Sequence, residues 1–181
     1  METRAVPSLI ERDIRPLIRD IPDFPKPGIV FKDITPLLAH PRMFRRTTEA
    51  LAEPFQGQGV THVVGIESRG FILGSPVAQH LGAGFVPVRK PGKLPSRTEG
   101  ESYELEYGSD RLEIHADAWE NPAKVLLVDD LVATGGTAEA TCKLIERLGA
   151  RLVGCSFLIA LSFLPGVERL RSRGVRALVT Y

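Results

Sequence analysis

The chain has 181 residues, 43% hydrophobic and 25% charged, enough for a full-sized core and unlike a disordered, collagen-like or coiled-coil chain. Its 23 Lys+Arg against 22 Asp+Glu leave a net charge of +1, which disfavours a duplex-wrapping nucleic-acid partner. No apolar run approaches the roughly 18–20 residues of a membrane span, and the charged start Met1-Glu2-Thr3-Arg4 leads into no secretory core.

In chain order, Ile10, Ile14, Leu17, Ile18 and Ile21 fall at helical spacing, so Ser8 to Arg19 is predicted helical, with a kink or restart at Pro16. Ile21 to Gly28 holds three prolines and a glycine and is predicted as an ordered loop rather than a regular element. A second helix is expected from Pro41 to about Phe55. Val60–Ile66 reads as a buried strand, Phe71–Leu81 as a helix and Gly84–Val88 as another strand. Pro91 to Ser102 is polar, lacks apolar periodicity and is expected to be a long mobile loop. Tyr103–Tyr107 and Arg111–His115 alternate with period two around Gly108-Ser109-Asp110, an antiparallel hairpin pattern. Lys124–Val128 is a short buried strand, and the helix carrying Thr141, Leu144, Ile145 and Leu148 ends at Gly149. Leu152–Ala160 and Val175–Tyr181 complete the strands. Short apolar strands alternating with helices imply an α/β fold: a mostly parallel twisted sheet covered on both faces, binding ligands beyond its strands' carboxyl ends.

Cys142 and Cys155 make no CxxC motif, and two buried thiols in a reducing cytoplasm are expected. The strongest local signal is Val125 to Thr137. An apolar strand ends in Asp129 and Asp130, then Ala133-Thr134-Gly135-Gly136-Thr137 opens a helix. Glycines let backbone approach a ligand, helix N-terminal N–H groups favour phosphate, and Thr134 and Thr137 add hydroxyl donors. No lysine follows the glycines, so this is not a P-loop. The residues leave two readings open: a site for phosphate plus polyol or metal, or a tight turn with a solvated Asp pair.

Charge is also segregated. Ser68 to Thr98 holds no acid but carries Arg69, Arg89, Lys90, Lys93 and Arg97, while Glu99 to Glu120 holds eight acids and one base, Arg111. A cationic rim with a cationic loop fits a polyanionic substrate; chance clustering on a solvated surface is the alternative. The acids are expected on the hairpin's outer face. Phe31, in a proline-braced segment, is either a core aromatic or a stacking surface for a flat heterocycle.

In combination these stretches resemble a known family. Asp129 to Thr137 is similar to the phosphoribosyl-pyrophosphate (PRPP) motif of type I phosphoribosyltransferases. Pro22 to Ile34, Glu67-Ser68-Arg69-Gly70-Phe71, Arg89 to Pro95 and Tyr103 to Gly108 resemble the adenine-using branch in order and spacing, over roughly residues 8 to 165. The resemblance implies one phosphoribosyltransferase domain over residues 1–181. A base-binding hood lies within 1–40, a mobile lid at 91–102 and the PRPP loop at 128–137. It implies transfer from PRPP to N9 of adenine, giving AMP and pyrophosphate, with Mg2+. Ala133, Thr134, Gly135, Gly136 and Thr137 would cradle the 5′-phosphate. Asp129 and Asp130 would hold the ribose hydroxyls directly or through Mg2+ and water. Ser68 and Arg69 would meet pyrophosphate beside a cis Glu67–Ser68 peptide, and Arg89, Lys90 and Lys93 would neutralise it. Glu106 and Tyr107 would act at the reacting centre, while Val30, Phe31 and Lys32 would bind the base. Relatives are commonly homodimers, so a dimer is expected, and the two reduced thiols go with a cytoplasmic location. The chain departs from the pattern at Ala160, where relatives often carry Glu, and at Val167, where they often carry Arg. Another nucleobase as acceptor, or a PRPP-sensing regulator, are the alternatives; a DNA-binding version would add a basic helix-turn-helix.

Overall fold

A computed structural model describes residues 8–104 and 108–181. The chain divides into two units, Met1–Ala50 and Leu51–Tyr181.

In the first unit, helix α1 (Leu9–Ile14) is capped by Ser8, whose Oγ accepts the Glu11 N–H at 3.1 Å. Pro16 starts a separate 3-10 turn, Arg15–Leu17, as its missing N–H requires. Strands β1 (Arg19–Pro22) and β2 (Val30–Asp33) pair antiparallel. This corrects the expectation of an irregular stretch from Ile21: Ile21 and Pro22 pair with Phe31 and Val30, and only the connection is loop. That connection is closed by Asp23 Oδ1, which accepts the Gly28 N–H at 2.8 Å, and it contains a cis Phe24–Pro25 bond. Asp33 then accepts from the Thr35 N–H and hydroxyl at 2.9 and 3.0 Å and from Arg19, which holds its carboxyl below the usual range and starts α2 (Thr35–Leu38). Helix α3 (Pro41–Ala52) follows and tightens into a 3-10 turn, Glu53–Phe55.

The second unit is built on five parallel strands in the order β4-β3-β7-β8-β9: β3 (His62–Ile66), β4 (Gly84–Val88), β7 (Lys124–Val132), β8 (Arg151–Ala160) and β9 (Val175–Thr180). Helix α4 (Arg69–Leu81) crosses from β3 to β4, α5 (Gly136–Arg147) from β7 to β8, and the short α6 (Gly166–Arg169) precedes β9. Val125 to Val128 are fully buried because β7 is central and covered on both faces. Val125 and Leu127 join Leu144 and Ile145 of α5 in the main core. Leu126 and Val128 alternate to the opposite face.

Strand β7 runs four residues beyond the predicted end at Val128, so Asp129 and Asp130 are strand residues. Of the expected 128–137 loop, only Ala133 to Gly135 turns between strand and helix. Val132 and Leu131 hold that extension in register against Ala160 and Ile159. The expected loop at 91–102 is also shorter. Strand β5 (Thr98–Glu104) begins at Thr98, pairing antiparallel with β6 (Ser109–His115) from His115 onward. Its polar sequence hid it: only β6 supplies the fully buried apolar residues, Leu112 and Ile114.

Candidate active site

The carboxyl ends of β3 and β7 open into a cavity of about 400 Å³. Its wall includes Glu67, Ser68 and Arg69 after β3, Asp129 to Val132 at the end of β7, and Ala133 to Gly135, Thr137 and Ala138 after it. Parallel pairing of His62–Gly65 with Val125–Val128 brings the two motifs together. Gly135 takes φ +81°, and a Cβ there would sit 2.9 Å from the Gly166 Cα. Gly166 donates its N–H to Ala133 O at 2.9 Å and has no room for a side chain, since a Cβ would lie 2.2 Å from that oxygen. The turn is thus held tightly from behind by Gly166, and Gly135, Thr137 and Ala138 at the start of α5 line the cavity.

Arg69 Nε meets Asp130 Oδ2 at 2.6 Å. Asp130 is 5% exposed. Asp129 is half-buried in the cavity wall; its Oδ1 accepts the Asp130 N–H at 2.9 Å, and Gly70 leaves it room, since a Cβ there would sit 2.8 Å away. Burial pushes the Asp129 carboxyl well above the usual range, and the neighbouring Asp130 charge adds to it. Burial raises Asp130 too, against the pull of Arg69. A native state that binds this proton more tightly than the unfolded chain loses stability as pH rises from about 3.9 upward. Asp129→Asn, which keeps the acceptor and removes the charge, is expected to melt about 2–4 °C higher than wild type at pH 7.5, the shift about 1 kcal/mol gives in a domain this size. The two should converge near pH 4, and parallel melting-temperature profiles in pH would contradict this reading.

Arg89, Lys90 and Lys93 do not line the cavity and reach it only through Glu67, which does, while Arg97 lies apart, exposed and 3.9 Å from Glu99. Glu67 accepts from Arg89 Nε at 3.2 Å, from the Lys90 N–H at 3.0 Å and from Lys93 Nζ. Burial works to raise Glu67, but those hydrogen bonds and the Lys93 charge outweigh it and hold its carboxyl below the usual range. Lys90 Nζ meets Asp110 Oδ2 at 3.0 Å. The acids expected on an outer hairpin face are therefore corrected in part. Asp110 turns to Lys90, Glu113 Oε2 accepts the Gly92 N–H at 3.1 Å, and Glu101 binds Lys143 and Arg147 of α5. The role of Glu67 was missed, although an acid bordering an acid-free basic run is itself a pairing signal.

The Glu67–Ser68 peptide is cis. Gly136 begins α5 under the Tyr103 ring, at 3.3 Å from where its Cβ would be. In the first unit, Val30 is exposed, Phe31 meets Phe24 edge-on with ring centroids 5.1 Å apart, and Lys32 Nζ binds Asp20 Oδ1 at 2.6 Å. Glu106 and Tyr107 lie outside the described residues. Among the described residues no group of three or more His, Cys, Asp or Glu is placed to hold a metal ion. The two cavity carboxylates are hard oxygen donors that suit a divalent cation only as a supplement to other ligands.

A family model for the phosphoribosyl transferase domain matches residues 33–171. A protein of Myxococcus xanthus (strain DK1622) named adenine phosphoribosyltransferase is 58% identical over 180 residues, covering 97% of this chain and 98% of that protein. The crystal structure of adenine phosphoribosyltransferase from Rhodothermus marinus DSM 4252 superposes with a TM-score of 0.91 at 57% identity, covering 95% of this chain and 98% of that one. That of the Saccharomyces cerevisiae enzyme, complexed with an imino-altritol bisphosphate and adenine, gives a TM-score of 0.88 at 40% identity over 93% of this chain and 98% of that one.

Proposed function

The chain belongs to the phosphoribosyltransferase family, in its adenine phosphoribosyltransferase branch, and from that premise we propose how its residues carry the reaction. It transfers the 5-phosphoribosyl group of PRPP to N9 of adenine, giving AMP and pyrophosphate, a purine-salvage reaction. The observation that carries the site reading is the shared cavity: a helix N-terminus, one buried and one half-buried carboxylate and an arginine converge at the ends of two adjacent parallel strands.

In this reading Ala133, Thr134, Gly135, Gly136 and Thr137 bind the 5′-phosphate through N–H groups, hydroxyls and the α5 dipole. Asp129 and Asp130 hold the ribose hydroxyls. Those hydroxyls satisfy carboxylates that burial otherwise leaves at a cost. The C1–oxygen bond to pyrophosphate breaks with both electrons going to the leaving oxygen, N9 supplies the pair for the new bond, and the N9 proton passes to solvent water. Ser68, Arg69, Arg89, Lys90 and Lys93 stabilise the charge that gathers on pyrophosphate, and this electrostatic term lowers the barrier most. Glu106 and Tyr107 act at the reacting centre. The 91–102 segment, a turn that leads into strand β5, closes with its hairpin as a lid that keeps water from a ribose carbon of oxocarbenium character. Val30 and Lys32 meet the purine edge through their backbones, and Phe31 stacks on its face.

Mg2+ would enter with PRPP as part of the substrate, Asp129 or Asp130 would hold it through water, and it would offset pyrophosphate charge. The protein acts as a homodimer in the cytoplasm, where its two free thiols stay reduced; light scattering tests the dimer. Among the described residues no helix is long and apolar enough to cross a membrane.

Pyrophosphate release from Mg2+ and PRPP with adenine, hypoxanthine, guanine and orotate tests the reading. Adenine is expected to turn over at least a hundredfold faster than the others. Turnover of hypoxanthine instead would assign another base, and tight PRPP binding without turnover would leave only a sensor.

A further inference from the structure

Lys90, Tyr103, Asp110 and Gly136 come from four places: the turn after β4, strand β5, strand β6 and the first turn of α5. One oxygen, Asp110 Oδ2, receives both Lys90 Nζ at 3.0 Å and the Tyr103 hydroxyl at 3.2 Å. Asp110 Oδ1 accepts the Arg111 N–H at 2.8 Å, so the carboxylate is fixed at both ends. The Tyr103 ring lies over Gly136, the first residue of α5, with Cδ2 3.3 Å from where a Cβ would be. Side chains thus run unbroken from a cation beside the cavity to the first turn of α5. Burial works to raise Asp110, but the Lys90 hydrogen bond and charge outweigh it and keep it below the usual carboxylate range. Lysine is a point charge on a flexible stem, and an unheld ammonium is drawn into water. One of its three donors satisfies Asp110, which leaves two for phosphate oxygens.

We propose that Tyr103 and Asp110 are positioning residues that hold Lys90 at the pyrophosphate position and tie it to the 5′-phosphate loop, so that the two ends of PRPP bind cooperatively. The proposal rests on the site assignment above. Neither residue touches substrate. Both act through Lys90 and through the Tyr103 ring on the first turn of α5, and the coupling is reciprocal, with each phosphate favouring the arrangement that receives the other.

The test titrates magnesium pyrophosphate into the full-length protein by calorimetry, with and without saturating AMP, in wild type, Tyr103→Phe, Asp110→Asn and Lys90→Ala. Tyr103→Phe keeps the ring over Gly136 and removes only the hydroxyl. It is expected to weaken pyrophosphate about tenfold, the scale of a hydrogen bond to a charged group, and to remove the enhancement by AMP. Its PRPP KM should rise by a similar factor while its adenine KM and melting temperature stay put, a split that a merely structural role would not produce. Asp110→Asn should weaken pyrophosphate at least as much and serves if the phenylalanine variant folds poorly. Wild-type pyrophosphate affinity in Tyr103→Phe, or tighter binding in Asp110→Asn, overturns the proposal, the latter by making Asp110 a competitor for Lys90. Unchanged affinity in Lys90→Ala overturns the site assignment, and the proposal with it. A loss in Lys90→Ala with none in Tyr103→Phe overturns the proposal alone.

Discussion

Alanine at Asp130 is expected to lower kcat/KM about a thousandfold while leaving a folded protein. Asp130 has two tasks in the proposed site: it holds the ribose side of PRPP, and it orients Arg69 through the 2.6 Å contact. Removing it loses a bound hydroxyl or ion contact and unfixes a cation aimed at the leaving group. One preorganised electrostatic contact alone accounts for about 10²–10³ in rate. The fold survives for a separate reason. Removing one partner of a buried pair costs about 3–5 kcal/mol only if the survivor stays desolvated. The Arg69 side chain is 41% exposed and can turn to water. Burial already opposes ionisation of Asp130, so its loss also relieves a cost. Steady-state kinetics together with a urea unfolding midpoint check both halves. A wild-type rate would remove Asp130 from the reaction, and an unfolded variant would make its role architectural.

Lys93→Ala is expected to cost about a hundredfold in kcat, with little loss of stability. In the proposed site its ammonium would carry charge toward pyrophosphate, where the demand is greatest as the bond breaks. In the structure that ammonium rests on Glu67, which also holds Arg89 and the Lys90 backbone. The Lys93 side chain is 47% exposed, and pairs of that kind contribute only about 0–1 kcal/mol. Lys93→Arg should recover part of the rate and alanine none. The Glu67 cluster also sets a pH dependence. Because its carboxyl sits below the usual range, its contribution is present above the ordinary carboxylate pKa and fades as pH falls through the depressed value. Lys93→Ala removes part of that depression, so the variant should lose less stability on acidification than wild type. Thermal melts between pH 3 and pH 7 read this, and equal losses would mean that Lys93 does not hold Glu67 down.

Much of the fold was legible. The runs at Val60–Ile66, Gly84–Val88 and Leu152–Ala160 become buried parallel strands because an apolar run that short has no other stable place in a chain of this composition. Errors came where local preference was overridden. Thr98 to Ser102 lacks β-forming apolar residues, yet pairs from Thr98 onward because β6 offers a complete ladder and Leu112 and Ile114 bury it. Pro22 ends a strand instead of starting a loop because it lies at the end of a two-stranded ladder. Asp129 and Asp130 look like the residues after a strand but lie inside one, held by β8.

The sequence by itself determined the chemistry: which stretch could cradle a phosphate, which carried only positive charge, and that a net charge of +1 concealed both. Periodicity, glycine placement and side-chain type are local properties, and the chain states them directly. Which carboxylate meets which cation was decided only by tertiary structure. Arg69 meets Asp130 because β3 and β7 are adjacent, Lys90 meets Asp110 because the turn after β4 lies beside the β5–β6 hairpin, and Glu67 gathers Arg89 and Lys93. Each pair joins residues distant in sequence, and the energy that selects it comes from burial and strand order, which no local window of residues contains.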